Sequence, residues 1–143
     1  MQSKSKAQLT PWACVAAAIG MFTVLHAGPA AAQGTRGAVE NATFTSAISG
    51  GAPTDFRQAF DNTTPVVYYY AEILGLAGQT VVHRWTLAGK IMQNVPIAVK
   101  RARQAVWSKS AMRPEWTGNW IVEIVNGRGE VIETDNFAFN PPE

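Results

Sequence analysis

His83 is the first residue to weigh, because a histidine titrates near neutrality and can serve as base, acid or metal ligand. The 143-residue chain has two histidines, His26 and His83, and one cysteine, Cys14. Nucleophilic catalysis needs a serine, a base and a group that orients the base. Only His83 could be that base, since His26 lies in a segment expected to be removed. No Gly-x-Ser-x-Gly elbow occurs. His83 falls in the alternating run Thr80–Leu87, where Val81, His83, Trp85 and Leu87 share one apolar face. It therefore reads as a core histidine, and no catalytic residue is assigned. The common zinc patterns need more histidines or thiolates than remain. Glu133-Thr134-Asp135-Asn136 lacks the glycine and spacing of a calcium loop. No metal and no cofactor is expected. Glu115, Glu123, Glu130, Glu133 and Asp135 include close neighbours in sequence, but spacing alone cannot set two carboxylates across a cleft. They read as surface charges.

Recognition chemistry has better material. Of five tryptophans, Trp85 and Trp120 alternate with core positions. Trp107 is out of phase with Val106, and Trp116 sits in the Arg113-Pro114-Glu115-Trp116 loop. Tyr69 belongs to an inward set, which leaves Tyr68 and Tyr70 on an outer face. Exposed rings stack on sugars or anchor a protein partner. Lys100, Arg101 and Arg103 form the one charge run. They suit a solvated turn beside an edge strand, or a site for an anionic group. Arg84 shares the outer face of its strand, and a hairpin pairing would set it opposite Tyr70 as a cation–π contact.

These residues need a scaffold. Lys4 and Lys6 precede an apolar run, Trp12 to Leu25, and the small-residue stretch Ala27-Gly28-Pro29-Ala30-Ala31-Ala32. That order is a secretory signal with its cleavage site, expected between Ala32 and Gln33. The run is shorter than the roughly 20 apolar residues of a spanning helix, so no membrane segment is expected after cleavage. The protein is expected in the periplasm or secreted. Residues 1–32 form the signal helix, 33–41 a flexible leader and 42–140 the domain. Lys4 and Lys6 account for the whole excess of 12 Lys and Arg over 10 Asp and Glu. The remainder is neutral, which speaks against a nucleic-acid partner. Cys14 also leaves, so no disulfide is expected.

After Asn41 the hydrophobic period is two. Strands are predicted at Ala42–Ile48, Val66–Leu74, Thr80–Leu87, Ile91–Val99, Ala105–Ser110, Gly118–Val125 and Val131–Phe139. A helical turn is predicted within Thr54–Thr64, where Phe56 and Phe60 are four apart. About seven short strands predict an all-β, single immunoglobulin-like antiparallel sandwich. A hairpin centred on Ala77 would pair Ile73 with Val81, Ala71 with His83 and Tyr69 with Trp85. A three-residue loop, Ala88-Gly89-Lys90, would pair Leu87 with Ile91 and His83 with Val95. Pro96 marks an edge strand or a bulge.

The strings Tyr69-Tyr70-Ala71-Glu72-Ile73, Gly78-Gln79-Thr80-Val81-Val82-His83-Arg84-Trp85 and Trp116-Thr117-Gly118-Asn119-Trp120 resemble the bacterial domain-of-unknown-function family numbered 2914. The resemblance spans most of Ala42 to Phe139. It implies an extracytoplasmic β-sandwich with no established activity and no catalytic residues to carry over. The expected role is a non-catalytic module that binds a cell-envelope component, a protein first. The alternatives are a carbohydrate-binding module using Trp107 or Trp116, and then a hydrolase. N-terminal sequencing of the exported protein should begin within a few residues of Gln33; a start at Met1 or Cys14 would contradict the signal.

Overall fold

The computed structural model describes residues 35–143. The expected signal and its cleavage site lie outside the described residues. The described chain runs through ten strands with no helix. They are β1 (Ala38–Thr45), β2 (Ile48–Ser49), β3 (Ala52–Pro53), β4 (Ala59–Asp61), β5 (Val66–Leu74), β6 (Thr80–Leu87), β7 (Lys90–Ala98), β8 (Arg103–Ala111), β9 (Gly118–Val125) and β10 (Val131–Asn140). One sheet has the order β1-β5-β8, a second has the order β4-β10-β9-β6-β7, and β2 and β3 form a small hairpin. All pairings are antiparallel except β4 with β10. The chain changes sheets between β5 and β6 and again on either side of β8. This is the immunoglobulin-type arrangement, in which β4 leaves the first strand's sheet to run parallel with the last strand.

Alternation dictates the core. Val67, Tyr69, Ala71 and Ile73 of β5 face Val81, His83 and Trp85 of β6 and Trp120, Val122 and Ile124 of β9, and all are closed to solvent. Phe137 is the hub of the large rings. It stacks on Trp120 at 6.0 Å and 11°, and it meets Phe44 at 4.7 Å and Trp85 at 6.2 Å. Truncating a buried ring of this size to alanine costs about 3–5 kcal/mol. The Trp120 indole N–H donates to the carbonyl of Trp116 (3.0 Å), which fastens the β8–β9 connection to the core.

The bounds of β5, β6 and β9 agree with the sequence pattern, and so do their inward faces. The partner of β5 does not. The expected β5–β6 hairpin is absent: β5 pairs with β1 and β8, while β6 pairs with β7 and β9. Gly75 and Gly78 take positive φ, and buried Leu76 plugs the turn that carries the chain across to the other sheet. Tyr69 and His83 therefore meet across the core, with ring centroids 5.1 Å apart, rather than along one sheet. Alternation gives the same inward set for a neighbour in the sheet and for a strand opposite it.

Three smaller expectations are also corrected. The leader is strand from Ala38 onward, since Val39 and Glu40 pair with Ile73 and Glu72 before a bulge at Asn41. The helical turn is extended instead. Phe60 is buried while Phe56 is 78% exposed, because Ala59–Asp61 adopts the extended backbone that pairs with Ala138–Asn140. The β6–β7 loop has two residues, Ala88 and Gly89, with φ of 48° and 77°, and pairs Leu87 with Lys90. An extra residue at Met92 then restores the expected pairing of His83 with Val95. The positive φ pair is the I′ geometry that matches strand twist and favours Asn-Gly. Alanine is strained there. Ala88→Asn should raise unfolding stability by about 1 kcal/mol in chemical denaturation; an unchanged or lower midpoint would refute the strain.

Candidate functional site

The pairing of β5 with β8 sets Tyr70 opposite Trp107 and Tyr68 opposite Lys109 on the outer face of the three-stranded sheet. Trp107 stays 43% exposed. The β2–β3 hairpin folds alongside, close enough that a side-chain carbon on Gly51 would lie 3.9 Å from the Trp107 ring. A cleft of about 730 Å³ opens between them, with Tyr68, Trp107 and Lys109 on its wall. A second cleft of about 550 Å³ has Trp107, Lys100 and Arg101 on its lining. Trp107 is thus shared by an aromatic hollow and a basic one.

Asp55 holds this cover in place. Its carboxylate accepts hydrogen bonds from the Thr45 hydroxyl (2.6 Å), the Ser46 backbone N–H (2.8 Å), the Ser46 hydroxyl (2.7 Å) and Arg57 Nε (2.6 Å). Burial alone would raise its pKa, but these bonds outweigh it and hold the carboxyl far below the usual range. The other flank has a cleft of about 430 Å³ bordered by Phe56, Tyr70, Glu72 and the β1 bulge at Asn41. Glu72 accepts from Asn41 Nδ2 (3.1 Å) and the Tyr70 hydroxyl (3.4 Å), and it pairs with Arg103. Those bonds, Asn41's first and Arg103's next, lower the Glu72 pKa.

The residues named from the sequence separate accordingly. Tyr68, Trp107, Lys100 and Arg101 converge on one face. Tyr70 shares that face but is only 7% exposed. Arg103 is engaged by Glu40 (3.0 Å) and Glu72, so it braces the sheet. Arg84 lies on the other sheet, opposite Glu123 at 3.3 Å, and the expected cation–π contact with Tyr70 is not formed. Trp116 closes the end of the core against Trp120 at 6.0 Å, with Arg113 over its ring at 5.0 Å. It borders none of the clefts that Trp107 lines. Lys109 and Phe56 were not singled out by the sequence reading. Phe56 gave no signal, since an aromatic four residues from Phe60 fits an amphipathic turn. Lys109 could be found by extending the Trp107 alternation.

Inside the sandwich, Ser108 of β8 reaches the opposite sheet. Its Oγ accepts the Trp85 indole N–H (3.1 Å) and lies 2.8 Å from His83 Nδ1. A serine beside a histidine is nucleophile chemistry in form, but Ser108 is 4% exposed and His83 fully enclosed. The group ties β8 to β6. Tyr69 makes a second tie, donating to Asp135 Oδ2 at 2.6 Å. Among the described residues, no cluster of three or more His, Cys, Asp or Glu side chains could hold a metal.

The fold and this surface define an immunoglobulin-type β-sandwich with an aromatic and basic outer face. Residues 78–139 match the family described as "Protein of unknown function (DUF2914)", the family that the Gly78–Trp85 and Trp116–Trp120 strings resemble. Among solved structures, the CARDB domain of a Pyrococcus furiosus protein, in complex with di-metal ions, is similar at 11% identity and a TM-score of 0.45, over 74% of this chain and 94% of that one. No curated protein sequence matches the chain.

Burial pushes the His83 pKa down to about 4 from its ordinary 6.5, so the folded protein holds the imidazole neutral. The unfolded chain takes up that proton first as the pH falls. Stability is full above about pH 6.5 and declines from there to about pH 4, by up to about 3 kcal/mol through this group. Chemical denaturation between pH 7 and pH 4 should show this slope, and His83→Gln should flatten it while lowering stability at neutral pH. Equal slopes in both proteins would contradict the assignment.

Proposed function

We propose that this protein is an exported, non-catalytic β-sandwich module that binds another component of the cell envelope, a protein first, through the Trp107 face. The observation that carries the proposal is the convergence of Trp107, Tyr68, Lys100 and Arg101 on one exposed, cleft-bearing surface. An exposed tryptophan in a polar setting is the residue type that dominates binding energy at protein interfaces. The adjacent cations add attraction for an acidic partner and speed encounter. Lys4 and Lys6, the apolar run to Leu25 and the Ala30–Ala32 stretch support export to the periplasm or beyond. A half-exposed indole also suits the flat face of a sugar, which favours carbohydrate binding as a second reading.

The test is capture from envelope extracts. Trp107→Ala should reduce recovery of a specific protein partner about tenfold or more, at unchanged melting temperature. The double change Lys100→Glu, Arg101→Glu should weaken capture further as ionic strength falls. Trp116→Ala should instead lower stability and leave capture intact. Recovery of nothing specific by the unaltered protein would overturn the protein-binding reading. A tryptophan fluorescence shift with peptidoglycan fragments, lost in Trp107→Ala, would move the assignment to glycan.

A further inference from the structure

Four strands end the two facing sheets: β1 and β8 in the three-stranded sheet, β4 and β7 in the five-stranded one. An open edge is a template for another chain, and proteins blunt edges by bulges, proline, brevity or cover. β1 is broken by its bulge at Asn41 and bridged at Phe44 by Arg57. β7 carries Pro96 and its own bulge. β4 is three residues long. β8 has no bulge, no proline and full length, and its charges, Arg103 and Lys109, lie near its two ends. Its nine residues pair with β5 without a shift, and among the described residues nothing pairs with its other side.

The orientation of its backbone groups follows from three bonds. Met112 N–H donates to Pro65 O (2.9 Å) and Gly75 N–H to Ala102 O (2.9 Å), so even-numbered positions face β5. The Lys109 carbonyl instead accepts from the Gln93 side chain of β7 (3.3 Å). The N–H and C=O groups of Ala105, Trp107 and Lys109 therefore point to the open side. Beyond that edge lies β7, which has no strand opposite it. Its Val95 and Ile97 are only partly covered, and with Trp107 they line grooves of about 730 Å³ and about 190 Å³. Lys100 and Arg101 flank one end of this slot and Lys109 the other, and no carboxylate lines it.

We infer that the slot between β7 and β8 takes an extended, acidic segment of a partner protein, added as a further strand on β8. Alternate apolar side chains of that segment cover Val95 and Ile97. The intervening acidic ones lie outward beside Lys109 and the Lys100–Arg101 turn. This deepens the protein-binding reading of the Trp107 face and rests on it. Main-chain pairing supplies the geometry and the alternate side chains supply selection. The Gln93 bond to Lys109 is long and yields to an incoming N–H.

The probe is a synthetic peptide of about eight residues alternating valine and glutamate, titrated into isotope-labelled protein isolated after expression of the full chain. The amides of Ala105, Trp107 and Lys109 should shift and gain protection from hydrogen exchange, while those of Val106 and Ser108 change little. Ala105→Pro removes a donor that faces the open side, and an edge tolerates proline there. It should keep the melting temperature and weaken the peptide by about tenfold or more. Should that variant fail to fold, the exchange pattern of the unaltered protein carries the decision. A flat titration, shifts centred on β1, or equal changes at odd and even positions would overturn the slot. Binding that perturbs the Trp107 ring without protecting β8 amides would remove the slot and leave the surface reading standing. Self-association that protects the same amides before peptide is added would assign the slot to a second copy and overturn the acidic partner.

Discussion

A three-stranded sheet cannot cover a five-stranded one, and much of this molecule's individuality follows from how that mismatch is met. Facing sheets pack about 10 Å apart, so each strand buries the inner face of roughly one strand opposite. On the β10 flank the shortfall is filled by bulk. Phe44, Phe60, Phe137 and Phe139 are all buried there, and Phe60 meets Phe137 edge-on at 5.6 Å. On the β7 flank the ring that borders the gap, Trp107, stays 43% exposed instead of filling it. Val95 and Ile97 are left partly open, and two glutamine side chains bridge the gap, Gln93 to Lys109 O and Gln104 to Ala98 O. One flank is closed by aromatic volume and the other is left as a hollow with polar struts.

Dispersion between rings is weakly directional, so it does not by itself fix how two sheets sit laterally. The hydrogen bonds that cross the core do. Ser108 joins β8 to Trp85 and His83 on β6, and Tyr69 joins β5 to Asp135 on β10. Burial, followed by the Asp135 carboxylate, pushes the Tyr69 pKa up, so the phenol remains a donor throughout the physiological range. These ties matter to the outer surface because successive residues on a strand point to opposite sides. Anchoring Ser108 inside the core sets the position of Trp107 outside it.

The same parity explains what the sequence revealed and what it withheld. It identified the inner faces of β5, β6 and β9 and set Tyr68 and Tyr70 outward, while it left the exposure of Trp107 open. It could not say which sheet a strand joins. Tyr70 and Arg84 are both outward, yet on opposite sides of the sandwich, and Arg84 meets Glu123 instead. The pairing of His83 with Val95 was read correctly through an incorrect loop, because the bulge at Met92 compensates for the shorter turn. Charge was legible as a run but not as a set of partners. Arg103 is drawn off by Glu40 and Glu72, while Lys100 and Arg101 stay beside Trp107. Trp116 was ambiguous because its place depends on a turn closed by its own carbonyl and the Trp120 indole.

A recognition surface made of strand residues differs in energetics from one made of loops. Ordering a mobile loop on binding costs free energy that rigid contacts do not incur. Tyr68, Trp107 and Lys109 stand on two strands paired without a break from Val66–Ala111 to Leu74–Arg103. The basic turn is short and held by the Lys100 backbone N–H donating to Gln104 Oε1 at 2.8 Å. Its cations are thus kept beside the indole. The strand that is fixed from within by Ser108 therefore presents outward side chains together with the backbone groups of an open edge. In the proposed strand addition, that coupling makes β8, more than any loop of the domain, the element on which binding would depend.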